Sequence, residues 1–324
     1  MAILKYIIPL LLATVLTGCY EDFTPDVDTK PVLCLNSLIT VGEPIYVNVS
    51  HTWLFTDKQA AENHQVADAE VTVIVNGDVV NDDYLPKEGD KIYIIANSAT
   101  YGTATAEVQV PFATPIGNVK LTPTLTDLWL DTRYELLADI TFNINVEMDV
   151  VDRPDCDNYY NLSFKKKSPY NDASKLTLSY LDVELEPIFK EHIDVLESIM
   201  VNEDSYDFLY FTDRQFAGET YTLHLNFNNN YFEVHSRNYD ESLVDCGITF
   251  YLSTISKSYY DWAVYKWNVT DGIIGDLAEV GLAESKWGYS NVSTGAGVVA
   301  AKSVTEYTVS LKDFLETILT SGKL

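Results

Sequence analysis

Between Asp149 and Asn158 the stretch "DVVDRPDCDN" packs oxygen ligands closely, and Asp152, Asp155 and Asp157 are the candidates to hold a hard cation such as Ca²⁺. An EF-hand would need a third oxygen where Tyr159 stands and a glycine where Tyr160 stands, so a solvated turn is the competing reading. The five histidines, His51, His64, His192, His224 and His235, stand singly. His224 and His235 could meet on adjacent strands, but no further ligands surround them. Gly295, Gly297 and Ala300 match GxGxxA, a fingerprint that binds a dinucleotide only when it opens a helix within a βαβ unit. Here it runs into "VVAAKSVTEYTV", which reads as a glycine-rich turn before a strand. No Walker loop, HExxH or GxSxG occurs, and no cofactor is implied. The 48 Asp and Glu keep a carboxylate-based hydrolase as one alternative, because a catalytic pair can be distant in sequence. Spread over nearly every segment, they look more like solubility and cation attraction than a tuned pair, and the expectation is a protein that is not an enzyme. The tyrosines and tryptophans from Tyr259 to Tyr289 raise a different possibility, rings that stack on a sugar or a partner.

A covalent chemistry is written near the start. "MAILKYIIPLLLATV" carries one positive charge, Lys5, ahead of an apolar run too short for a spanning helix, which needs about 20 residues. That is the layout of a secretory signal. The following "LTGC" resembles the bacterial lipobox, in which the cysteine thiol is acylated and the chain is cut before it. Residues 1–18 are then removed, and Cys19 becomes a lipid-bearing N-terminus; two or more acyl chains make a stable anchor. Glu21 and Asp22 resemble the acidic signal that sends lipoproteins to the outer face of the outer membrane, and residues 19–31 read as an acidic, proline-bearing tether.

Removal of the signal takes one lysine and no acid from the 21 Lys and Arg of the full chain, leaving an acid excess of 28. Such a surface repels phosphates and excludes nucleic-acid binding. Three cysteines remain, Cys34, Cys156 and Cys246, in a compartment that permits disulfides; Cys156 and Cys246 are the pair within one predicted domain. No two have CxxC spacing.

The elements that must position these residues are short strands. "VLCLNSLIT", a Gly42-Glu43-Pro44 turn and "IYVNVSHTWLF" predict a hairpin, and Asn76-Gly77 inside "AEVTVIVNGDVV" predicts another. With "DKIYIIAN" and "TATAEVQVPF" they compose an immunoglobulin-like β-sandwich over 32–113. Prolines 111 and 115 mark the boundary to a larger β-rich domain, 114–324, with three short helices. One follows Pro187, with Phe189, Ile193, Leu196 and Met200 on one face; one is "SKSYYDWAVYKWN"; one is terminal, where Ser310 and Asp313 have capping-box spacing. In the second helix Tyr260, Ala263, Val264 and Trp267 share a face, so Tyr259 and Trp262 lie off it and are the candidate ligand-binding rings. The fold class is mainly β.

Four stretches occur in the order of a known family. "DRPDCDNYYNLSF" (152–164), "FLYFTDRQFAGETYTLHL" (208–225), "LSTISKSYYDWAVY" (252–265) and "YSNVSTGAGVVAAKSV" (289–304) resemble the motifs of Bacteroidota outer-membrane lipoproteins classified as domain of unknown function 4249. Two departures stand out: the family usually has a bulky aromatic where Val299 stands, and Cys156 interrupts the first motif. The resemblance implies an accessory lipoprotein of a TonB-dependent transporter, and it carries no catalytic residue across. The alternative is a structural or adhesive surface lipoprotein.

Overall fold

In β5, Lys91–Ser98, residues Ile92, Ile94, Ala96 and Ser98 are buried while Lys91, Tyr93 and Asn97 face water. That period of two is what a pleated strand with one dry face requires. The computed structural model describes residues 30–53, 64–131, 137–154, 156–167, 186–191, 209–235, 246–271 and 288–321. Residues 1–18, read above as a signal, Cys19, Glu21, Asp22, Asp155, Trp287 and the predicted helical positions Ile193, Leu196 and Met200 lie outside the described residues.

The remaining strands are β1 (Leu33–Thr40), β2 (Asn48–His51), β3 (Glu70–Val75), β4 (Asp78–Val79), β6 (Gly102–Gln109), β7 (Ile116–Asp131), β8 (Leu137–Val151), β9 (Tyr159–Lys167), β10 (Tyr210–Thr212), β11 (Thr220–His235), β12 (Gly247–Ile255) and β13 (Val299–Ser310). The protein is mainly β, as the alternation predicts. Both hairpins form: β1 pairs antiparallel with β2, and Asn76-Gly77 joins β3 to β4. Among the described residues three sheets result, with strand orders β10-β9-β12-β13-β1-β2, β11-β8-β7 and β4-β3-β5-β6.

The six-stranded sheet backs both cores. At one end, Leu33, Leu35 and Ile39 of β1 meet Ile92, Ile94, Ala104 and Val108 of the four-stranded sheet. At the other, Leu162, Phe250 and Leu252 meet Phe142, Ile144, Leu223 and Phe227 of the three-stranded sheet. A fully buried phenylalanine contributes about 3 kcal/mol by desolvation, so Phe142, Phe227 and Phe250 weigh heavily in that second core.

The two halves of the chain share this sheet. β13 lies beside β1 in parallel, Ser37 opposite Val299, and Val292, Val299 and Ala301 complete the core of the 32–113 segment. The proline-bearing junction is also sewn down. Thr114 N–H donates to Thr254 Oγ1 at 3.0 Å, Thr305 Oγ1 donates to the Thr114 carbonyl at 2.8 Å, and Ser303 Oγ donates to the Pro111 carbonyl.

Two α-helices are described, α1 (Lys257–Lys266), continued by a π-helical turn Trp267–Asp271, and α2 (Lys312–Ser321). Ser310 Oγ accepts from Lys312 N–H at 3.1 Å, and Leu315, Ile318 and Leu319 bury the inner face of α2. After Pro187 the described residues form one 3₁₀ turn, Pro187–Lys190, with Phe189 buried. No helix among the described residues is long and apolar enough to cross a membrane.

Candidate functional site

Helix α1 begins where β12 ends, and Ser256 decides its place. Its Oγ accepts from Tyr259 N–H at 3.3 Å as an N-cap and from Ala301 N–H of β13 at 3.0 Å. Ser258 Oγ donates to the Val299 carbonyl at 2.9 Å. The first turn is thereby fastened across the six-stranded sheet, and its side chains project to two sides.

On one side Tyr259 and Trp262, the rings singled out from helical spacing, come together with ring centroids 5.9 Å apart. They face Leu38 and Tyr46 across an open groove of ≈ 420 Å³, which Val298, Ala300, Asn36 and Ser37 also line. Leu38 is 47% exposed and Tyr46 74% exposed, large apolar area to leave in water. Among the described residues no charged side chain lines the groove. Leu38 and Tyr46 carry no sequence signal of their own. Leu38 reads as one more apolar strand residue, and only the pairing of β1 with β13 brings it under α1.

On the other side lies a larger cavity of ≈ 680 Å³ between α1, Arg153 with Cys156–Tyr159, the Pro111-Phe112 segment, Tyr289 and Asn291. Lys257 Nζ pairs with Asp261 Oδ2 at 2.6 Å in its wall. Burial, with Asp261 beside it, pushes the Tyr289 phenol up to about 12. Arg153 lays its guanidinium over the Phe112 ring, 4.3 Å from the centroid.

The turn carrying Arg153 is exposed at Pro154, Cys156 and Asp157 but anchored at its two ends. Asp152 and Asn158 are buried, and the Asp152 carboxylate accepts from Gly218 N–H at 2.7 Å, Asn158 Nδ2 at 3.1 Å and the Tyr160 hydroxyl. Asp213 Oδ2 accepts from Asn158 N–H at 2.7 Å; burial, with Asp152 nearby, raises the Asp213 carboxyl above its ordinary range. Of the cation candidates, Asp152 is therefore spent on this network, and Asp157 is exposed. Among the described residues no group of three or more His, Cys, Asp or Glu is placed to hold a metal ion.

Other sequence candidates separate. His224 and His235 lie on one strand, β11, and do not face each other across a pair. The histidines that meet are His51 and His64, with ring centroids 5.0 Å apart, in a column closed by Trp53 and Tyr101. Glu186 is fully buried against β11, accepting from Tyr221 OH at 3.1 Å and from His224 N–H, and burial raises its carboxyl above the usual range. Cys34, Cys156 and Cys246 stand as thiols, with no disulfide among them. The GxGxxA stretch opens no helix: it runs beside β1 into β13.

The four motifs are the joints of this arrangement. Asp152 of the first bonds Gly218 of the second, Ser256 of the third bonds Ala301 of the fourth, and Asn291 clamps Val299 through both N–H (2.9 Å) and C=O (2.8 Å). A family model described as "Domain of unknown function (DUF4249)" matches residues 20–308. The chain belongs to this DUF4249 family. No curated protein matches it. In this DUF4249 chain Val299, where the resemblance led one to expect a bulky aromatic, is fully buried between the Asn291 clamp and the first core. Cys156 is exposed, and its thiol donates to Asn158 Oδ1 at 3.4 Å, so the interruption of the first motif leaves the hub in place.

Proposed function

We propose that this chain is a lipid-anchored lipoprotein of the outer membrane, facing outward, that serves a TonB-dependent transporter as an accessory subunit and captures or gates its nutrient. The observation that carries the reading is the groove of Leu38, Tyr46, Tyr259 and Trp262, an uncharged aromatic surface on a protein whose acids outnumber its bases 48 to 21. Amphipathic rings in an open, uncharged groove suit a protein interface. A tether at Cys19 supports the same reading, because it holds the groove near a membrane partner and raises its effective concentration there. A binding role rather than catalysis is supported by the use of the buried acids. Asp90, Asp152, Glu186 and Asp213 each accept hydrogen bonds from the main chain, which is structural work.

Anchoring is tested by Cys19→Ala. The variant is expected in the soluble fraction of lysed cells while the wild type sediments with membranes; a variant that still sediments overturns the anchor. Protease added to intact cells reads the outward orientation, and full protection of a chain that the same protease digests when purified assigns it to the inner leaflet.

The transporter is tested by affinity purification from outer membranes in mild detergent. A barrel in near-stoichiometric amount is expected with the wild type, and Tyr46→Ala with Trp262→Ala should weaken its retention by about tenfold or more, as loss of a buried aromatic anchor does. Absence of any barrel beside a folded lipoprotein sinks the accessory reading. Recovery of a fimbrial or polymerising partner instead supports the adhesive alternative.

A further inference from the structure

The larger cavity holds an unusual cation. Arg153 is half-buried, and among the described residues no carboxylate lies within ion-pair distance of it, although acids exceed bases more than twofold. Its one face is taken by the Phe112 ring at 4.3 Å. A guanidinium held by stacking keeps its N–H donors in plane and available at its edges, in the fork that matches a carboxylate bidentately. The main chain below it is held by the Asp152 hub, with the Arg153 carbonyl accepting from Asn158 Nδ2 at 3.2 Å, so the base of the side chain is positioned before any ligand arrives.

The remaining charges in the wall divide simply. Lys257 is neutralised by Asp261 at 2.6 Å, whereas Asp157 and Glu107 line the same cavity and are exposed. A ligand with a single negative group meets Arg153, and a positive group on the same molecule meets the acids. Val108, Pro111, Phe112 and Ile255 add apolar lining to the same cavity. At ≈ 680 Å³ the cavity falls within the range of about 300 to 1,000 Å³ usual for small-molecule sites.

We propose that this cavity binds a small zwitterion, an amino acid or short peptide, with its carboxylate on Arg153 and its ammonium toward Asp157 and Glu107. The inference rests on the capture reading and names its cargo class, but its test does not involve the transporter. The detergent-solubilised full chain is titrated calorimetrically with trialanine, trialanine amide and N-acetyl-trialanine. Trialanine is expected to bind, and amidation or acetylation should each weaken it by about tenfold or more, the usual consequence of losing a charge-assisted contact. Arg153→Gln should weaken trialanine similarly and abolish the distinction between the acid and the amide, while Arg153→Lys keeps part of both. No binding of trialanine at about 1 mM overturns the proposal. Equal affinity after amidation or acetylation of the peptide also overturns it, and those measurements need no variant to fold. A barrel that co-purifies while trialanine fails to bind refutes the cargo class and leaves the accessory role standing.

Discussion

Gly297→Ala is expected to cost a large part of the stability of the fold. At Gly297 φ is +109°, and a Cβ built there would lie 2.1 Å from the Leu35 carbonyl oxygen and 2.9 Å from its nitrogen. Neither partner can step aside. Leu35 is fully buried, its N–H is bonded to the Ala296 carbonyl at 2.9 Å, and on its other side it is in register with Val49 of β2. Relief requires β13 to move off β1, which opens the core around Val292, Val299 and Ala301. We expect a loss of about 4 kcal/mol or more, the size reserved for main-chain collisions and special φ values, against a usual total of about 5–15 kcal/mol. Urea denaturation followed by circular dichroism measures it. A midpoint shift worth less than about 1 kcal/mol would mean that the close parallel approach of the two strands is wrong.

Asp152→Ala is expected to cost about 3–5 kcal/mol, because three donors lose a buried carboxylate at once. The Gly218 N–H and the Tyr160 hydroxyl are the principal losers; Tyr160 is fully buried and keeps only the long contact with Thr114 Oγ1 at 3.4 Å. Gly218 itself is irreplaceable at this joint, since a Cβ there would meet Pro154 at 2.9 Å. Asp152→Asn keeps the shape and one accepting oxygen but turns an NH₂ toward donors, so it should fall between wild type and alanine. The denaturation midpoint reports the order of the three proteins, with an unchanged slope if the unfolded states are alike. Asparagine as stable as aspartate would show that the charge contributes nothing, and alanine as stable as wild type would remove Asp152 from the hub altogether. The same change should weaken ligand binding at Arg153, whose main chain the hub positions.

What could be read along the chain was whatever depends on neighbours within a turn or a pleat. The alternation in "KIYIIANS" places Ile92 and Ile94 in the core, and the Asn76-Gly77 pair closes a hairpin, because each is a property of a few consecutive residues. Helical spacing set Tyr259 and Trp262 apart from Ala263 and Trp267 for the same reason; both line the groove, and Trp262 also packs against the second core. Acid density was a poorer guide. Asp152, Asn158 and Asp157 look alike in "DRPDCDN", yet the first two are buried and the third is exposed, since their fate depends on whether Gly218 and Asp213 arrive to meet them.

Sequence alone thus determined the mainly β fold, the inward faces of strands such as β5, the starts of α1 and α2 and the family to which the motifs point. Tertiary structure alone decided that β1 lies beside β13, with Asn36 accepting from Val298 N–H across 262 residues, and therefore that Leu38 and Tyr46 meet Tyr259 and Trp262. It also decided that Arg153 stacks on Phe112 with no carboxylate partner among the described residues. Periodicity records which side of a short segment avoids water. Which distant segment covers that side is settled by burial, hydrogen bonding and chain closure summed over the whole molecule, and no local pattern carries that sum.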